Sequence, residues 1–410
     1  MSFDFTVDRN SPKWVLGADG YLKEYIADAP AIEFNADGSY KGVLVEPQSI
    51  NLCLQSEDIN TTWIPINATP TQSTETTPDG DSTNKYIKLV DDGSTGTGSV
   101  FVRQSITVSA NTTYTASVFV KADQLSFLRL RARDYDATTD GVQYFGLSGA
   151  GSLGTAENLN DSSIEVYPNG WYRCSITWTQ GASNTSFIFD INVAGSISST
   201  IVDLDGTSSI FVWGAQVEAS PIATSYIPTT TGAVTRLKDD IYLTSASSLI
   251  GQTEGTLFIE VDWQEISGVS QGIIGVNDNS NNNRFLIYKA GANDTLRMFA
   301  RSNSVSVTDQ GESSSAYTGV QKIAFAYKTN DFELYRNGSS ISTDTGGSLA
   351  SLATLTNVDF GQFNDASLQA NMWIRAVALF TTRLSDAEAY SLTGYDTYAQ
   401  MANALQYTIL

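Results

Sequence analysis

The 410-residue chain contains no histidine. That excludes Ser-His-Asp and Cys-His catalysis, histidine-ligated zinc and any histidine general base. Only two cysteines are present, Cys53 and Cys174, too few for a four-cysteine zinc site or a disulfide framework. Each lies in an apolar, strand-like run, which reads as two buried reduced thiols. Proline is scarce at nine residues, and cations are few: 23 Lys and Arg against 44 Asp and Glu leave a net charge of −21. Such a chain repels phosphate, so neither nucleic acid nor an anionic membrane surface is an expected partner. No apolar run approaches the roughly 20 residues of a membrane-spanning helix, so no membrane insertion is expected. The opening Met1-Ser2-Phe3-Asp4-Phe5-Thr6 has neither the basic nor the apolar region of a secretory signal. The expectation is a protein made in a cytoplasm; if it acts outside a cell, it leaves by another route, such as lysis.

What the sequence has in abundance is alternation. Thr113 to Val120, Phe127 to Ala132, Tyr172 to Trp178, Ser186 to Val193 and Ile210 to Val217 alternate apolar and polar residues, as half-buried strands do. Turn residues separate them, as at Asp91-Asp92-Gly93, Pro168-Asn169-Gly170 and Asp205-Gly206. A turn-rich stretch around residues 226–245 precedes a second series, beginning at Gly255 to Trp263 and ending at Asn371 to Phe380. Asn337-Gly338 supplies the positive φ angles of a hairpin turn. The one clear helix signal is Ser385 with Glu388 three residues on, closed by Gly394. A short helix over residues 398–405 and an edge strand over residues 406–410 are expected at the end. The fold class is therefore all-β, with two antiparallel β-sandwiches, a jelly roll over residues 61–235 and a second sandwich over residues 245–395. A short N-terminal docking segment, residues 1–60, precedes them, and a tail, residues 396–410, follows. The docking segment holds little apolar surface and is expected to pack on the first sandwich or on another protein.

Three stretches carry a resemblance. The first is Ala18-Asp19-Gly20-Tyr21-Leu22, Pro30-Ala31-Ile32-Glu33-Phe34, then Gly42-Val43-Leu44-Val45-Glu46 through Asn51-Leu52, and Gln55-Ser56-Glu57-Asp58. It resembles the N-terminal signature of tailed-bacteriophage structural proteins, with Ile50 where threonine is usual. The second, Val212-Trp213-Gly214-Ala215-Gln216-Val217-Glu218-Ala219 with Ala223-Thr224-Ser225-Tyr226-Ile227-Pro228-Thr229, is similar to the closing strand of the carbohydrate-binding-module-like jelly roll in the same proteins. The third, Trp373 to Phe380 followed by Arg383-Leu384-Ser385-Asp386-Ala387-Glu388, is similar to the closing strand and helix of concanavalin- and laminin-G-like sandwiches. The resemblance implies a virion structural protein of the fibre, tail or head-appendage type. Its implied partners are other virion proteins, a second copy of itself (a homotrimer by analogy with fibres) and a host surface glycan.

Sugar recognition pairs aromatic faces with amides and carboxylates. Trp63, Tyr135, Tyr144, Tyr288 and Tyr317 lie near turns and are the candidate carbohydrate-binding residues, with the tract Asn277 to Arg284 as a candidate polar loop. Calcium is the one cofactor such loops could take, with Asp203, Asp205 and Asp278 as candidate metal ligands. No catalytic residues are expected. The alternative is a polysaccharide-degrading enzyme using paired carboxylates, for which Glu260-Val261-Asp262-Trp263-Gln264-Glu265 spells the pattern found on strands of concanavalin-like glycosidases, with Asp134, Asp136 and Asp140 a further acidic group.

Overall fold

The computed structural model describes residues 5–264, 268–312, 317, 319–350, 352–363, 368–395 and 400. Two antiparallel β-sandwiches follow one another, as the alternation predicts. In the first, one sheet runs Ser152–Glu157, Thr139–Gly146, Phe127–Asp136, Ser186–Val193, Thr97–Thr107, Ile201–Asp203. The facing sheet runs Asp161–Val166, Trp171–Thr179, Thr113–Ala122, Ser209–Glu218, Lys85–Asp91, Ala68–Ser73. Their inward residues, among them Val118, Leu130, Ile176, Phe189 and Ile191, form one core. Cys53 and Cys174 lie in that core as free thiols. Burial pushes both thiols well above their ordinary range.

The second sandwich has two seven-stranded sheets. One is ordered Thr6–Asp8, Asp240–Leu243, Asn357–Phe360, Gln271–Asn277, Arg284–Ala290, Thr295–Ser302, Val305–Gly311. The other is ordered Ser339–Asp344, Asp331–Arg336, Val320–Lys328, Glu254–Trp263, Met372–Phe380, Tyr40–Val45, Ile32–Phe34. Ile259, Val261, Ile274, Phe285, Met298, Phe325 and Met372 fill the space between them. The helix Asp386–Gly394 lies on the outer face of the second sheet, with Leu384, Ala389 and Leu392 against Phe258, Ala324 and Tyr335. Its N-terminus carries the capping box expected from Ser385 and Glu388. The helix and strand expected over residues 398–410 fall outside the described residues, Gln400 excepted.

The N-terminal segment differs from the docking unit expected over residues 1–60. Thr6–Asp8, Ile32–Phe34 and Tyr40–Val45 are strands of the second sandwich, paired with partners as distant as Ile374 on Val43. The hairpin Lys13–Leu16 with Leu22–Tyr25 packs on the first sandwich instead, through Leu16 and Leu22 against Ile87, Phe119, Trp213 and Tyr226. The second sandwich therefore takes its first strands from residues 6–45, resumes before residue 245 with Asp240–Leu243, and is discontinuous in sequence.

A buried charge cluster fastens these parts. Asp239 accepts from Arg9 Nη1 at 2.8 Å, Lys13 Nζ at 2.6 Å and the Glu46 amide at 2.8 Å. Lys13 also lies 2.9 Å from Glu46 Oε2, and Arg236 closes the group at 3.7 Å. All five side chains are almost wholly buried. Burial pushes the Glu46 carboxyl up, but the Arg236 and Lys13 charges and the Ser225 hydrogen bond overcome it and bring it down to about 2. Beside it, Glu218 accepts from Ser49 and Thr224 hydroxyls at 2.6 and 2.7 Å. Asn51 donates to Ala215 and Ile227 carbonyls. The motif residues Glu46, Asn51, Glu218, Thr224 and Ser225 are thus the polar fastening between segments far apart in sequence.

Candidate functional site

The outer face of the sheet containing Gln271–Asn277 gathers side chains of one unusual kind. Alternation sets them there. In Arg284–Ala290, Phe285 and Ile287 point into the core, so Arg284, Leu286 and Tyr288 point out. In Thr295–Ser302, Leu296, Met298 and Ala300 point in, so Arg297, Phe299 and Arg301 point out. The register then places Arg284 opposite Arg301, Leu286 opposite Phe299 and Tyr288 opposite Arg297. Gly275 on the neighbouring strand makes room, because a Cβ there would stand 2.5 Å from Leu286 Cδ2. Leu286 is consequently almost wholly buried against Gly275.

Tyr288 is half-buried and meets the buried Phe363 edge-on, with centroids 5.8 Å apart. Its hydroxyl donates to Asp309 Oδ1 at 2.9 Å, and Arg297 Nε donates to the same oxygen at 2.9 Å. Burial, then the Asp309 carboxylate, pushes the Tyr288 phenol up to about 12. The Arg284 guanidinium carbon stands 5.3 Å from the Phe299 centroid and 5.5 Å from that of Phe363, and Arg301 stands 5.5 Å from Phe299. These are cation–π distances. The Asn-rich tract buttresses the group from one end. Asn281 accepts from Arg284 through its side chain at 2.6 Å and from Arg301 through its carbonyl at 3.3 Å. The result is a platform of the partly exposed Tyr288 and Phe299 rings and guanidiniums backed by the buried Phe363, an arrangement that can hold a polar ring such as a sugar by one face and by its hydroxyls.

The other predicted carbohydrate-binding residues do not join Tyr288. Trp63 is 3% exposed and sits in the first core, 6.2 Å from the Phe189 ring. Its turn-flanked position suggested exposure, yet the flanking residues stay exposed while the Trp63 ring alone turns into the core. Tyr317 is 1% exposed and stacks on Trp263 at 5.0 Å, its hydroxyl accepting from the Leu296 amide. Tyr144 is buried beside Val142, Ala194 and Phe127, an aromatic covering its own sheet. Tyr135 is half-buried and donates to the Asn158 carbonyl at 3.1 Å, on the first sandwich. Phe299, Phe363, Arg297 and Arg301 were missed. The pattern Arg297-x-Phe299-x-Arg301 in a strand already puts the three on one face, and that is the signal that could have found them.

The candidate metal ligands are separated and engaged in their own turns. Asp205 accepts from the Thr207 amide and hydroxyl, and Asp278 from Ser280 and from Asn283 at 2.7 Å. The exposed Asp203 is joined to this loop through its carbonyl, which accepts from Ser208. No group of three metal-ligating acidic or sulfur side chains occurs among the described residues. Of the candidate catalytic carboxylates, Glu260 is paired with Arg375 at 2.9 Å on the face that carries the helix. Asp262 is half-buried two residues on, and Glu265 lies outside the described residues. Asp140 accepts from the Asp134 amide and from Arg131.

A concave feature lies on the first sandwich, an open groove of about 540 Å³ lined by Gln55, Glu57, Asp58, Asn84, Lys85 and Tyr86 among others. Lys85 is held there by Asp81 at 2.9 Å and Glu57 at 3.6 Å.

No protein-family model matches the chain, and no curated protein matches it in sequence. Solved structures with similar form include the CBM40 module of the Ruminococcus gnavus IT-sialidase bound to α2,3-sialyllactose. It is 16% identical, with a TM-score of 0.32 over 37% of this chain and 87% of that one. A structure of botulinum neurotoxin type C, described for its dependence on two ganglioside molecules in cell entry, is 17% identical. Its TM-score is 0.33 over 42% of this chain and 41% of that one. A heptameric SAP-like pentraxin from Limulus polyphemus is 13% identical, with a TM-score of 0.30 over 35% and 71%. What those proteins bind is a property of theirs; the likeness is one of β-sandwich form.

Proposed function

We propose that this chain is a non-enzymatic component of a bacteriophage virion, of the fibre, tail or head-appendage type, that holds a host surface glycan on the outer face of its second sandwich. The observation that carries the binding role is the platform of Tyr288, Phe299 and Phe363 with Arg284, Arg297 and Arg301. The virion context rests on the resemblance of the motifs around Glu46, Glu218 and Trp373. The buried charge cluster supports it by making the segments one firm body, as a particle appendage requires. Assembly with other virion proteins and self-association as a trimer belong to the same reading. The pairing of Glu260 with Arg375 supports a role without bond cleavage.

The test is binding of the purified protein to host cells and to their extracted surface polysaccharide, with reducing ends assayed in the same tubes. Saturable binding without sugar release, lost in Tyr288→Ala, is the expected result. Release of reducing ends that disappears in Glu260→Gln would overturn the non-enzymatic reading. No binding at all would overturn the glycan role.

A further inference from the structure

The platform is electrostatically out of character with the chain that bears it. A protein with a net charge of −21 and only 23 cationic residues sets three arginines on one face of two adjacent strands. Arg284 and Arg301 stand directly opposite one another across the strand pair, where like charges repel. Both guanidiniums are held against the Phe299 ring and both use Asn281 as acceptor. Arg297 has its carboxylate, Asp309. Arg301 has none within 4.0 Å among the described residues, and makes a single hydrogen bond there, although a guanidinium carries five N–H donors. Its Nε is shut from water without an acceptor, while the side chain as a whole is partly exposed.

From this we infer that the platform selects an anionic glycan, one whose carboxylate, sulfate or phosphate group lies against Arg301 and Arg284 while a sugar ring rests on Tyr288 and Phe299. The inference rests on the glycan-binding reading and sharpens it to a substrate class. An oxyanion matches the planar fork of a guanidinium with two parallel hydrogen bonds. The rest of the acidic surface repels polyanions, which makes this face the favoured point of attachment and confers specificity for ligands that can dock there.

The experiment measures affinity of the full chain for polygalacturonate and for its methyl ester, which is the same polymer without charge, and for dextran sulfate beside dextran. Polygalacturonate separates a carboxylate source from the sulfate ester of dextran sulfate. The expected result is at least tenfold tighter binding to one charged polymer than to its neutral partner. That preference falls as salt is raised and is abolished in Arg301→Gln and in Arg284→Gln, while Lys23→Gln on the exposed hairpin leaves it unchanged. Arg301→Lys, which keeps charge but not the fork, separates charge from geometry and serves as a second variant if glutamine disturbs the sheet. Equal affinity for charged and neutral polymers would overturn the anionic selectivity and leave glycan binding standing. Binding to none of the four, together with none to host polysaccharide, would overturn both.

Discussion

Asp239→Asn is the sharpest perturbation of the fastening between the two sandwiches. The substitution keeps the shape of the side chain but removes the charge that Arg9 and Lys13 share at 2.8 and 2.6 Å. Three buried cations, Arg9, Lys13 and Arg236, are then left with Glu46 alone. Breaking one partner out of a buried ion pair costs about 3–5 kcal/mol, because the remaining charge stays desolvated. For a cooperative unit of roughly 150–250 residues each kcal/mol lowers Tm by about 2–4 °C, so the transition should fall by about 6–20 °C. Differential scanning calorimetry reads it directly. Asp19→Asn is the control, since Asp19 pairs with Lys23 at 2.6 Å but both are about half exposed, and exposed pairs contribute little. A transition in Asp239→Asn no lower than that of Asp19→Asn would refute the reasoning.

Glu46 gives the cluster a pH signature. Its carboxyl is held at about 2 in the folded state against an ordinary 4.5. A depressed carboxyl stabilises the fold fully above its ordinary value and loses that contribution as pH falls towards about 2. The difference is worth about 3 kcal/mol, so denaturant titrations should show stability falling between pH 4.5 and 2, and a shallower fall in Glu46→Gln. Trp63→Ala should destabilise the first sandwich by about 3–5 kcal/mol through the cavity it leaves without weakening glycan binding; lost binding at full stability would return Trp63 to the site. Cys53 and Cys174, buried with raised thiol pKa values, should resist iodoacetamide at pH 8 until denaturant is added, and mass spectrometry would show early labelling if either were accessible.

The two sandwiches were legible because alternation over eight to ten residues, as in Thr113–Ala122 and Glu254–Trp263, marks a strand whatever its partner, even though both strands are buried over seven successive residues by what covers their outer faces. The place of the first fifty residues was not. Strands of three to six residues such as Ile32–Phe34 and Tyr40–Val45 carry almost no periodic signal. The two pair with each other, and the partners that join Tyr40–Val45 to the sheet, Ile374 and Met372, lie more than 300 positions away. The polar motifs were visible as patterns, yet nothing local says that Glu46 and Ser225 meet in the interior at 2.7 Å. The burial of Trp63, Tyr144 and Tyr317 was hidden for a related reason. Nearness to a turn distinguishes exposed from buried rings poorly in a sandwich, where Trp63 and Tyr317 fold under their sheets. Tyr288 differs in that strand register, not the turn, brings it beside Arg297 and Phe363.

Hydrogen–deuterium exchange of the chain with and without saturating host surface polysaccharide locates the contact without presuming it. The account predicts slowed exchange in Arg284–Ala290, Thr295–Ser302 and the turn before them, with the rest unchanged. Protection confined to the groove beside Glu57 and Tyr86, or none under saturating binding, would contradict the placement of the site on the second sandwich.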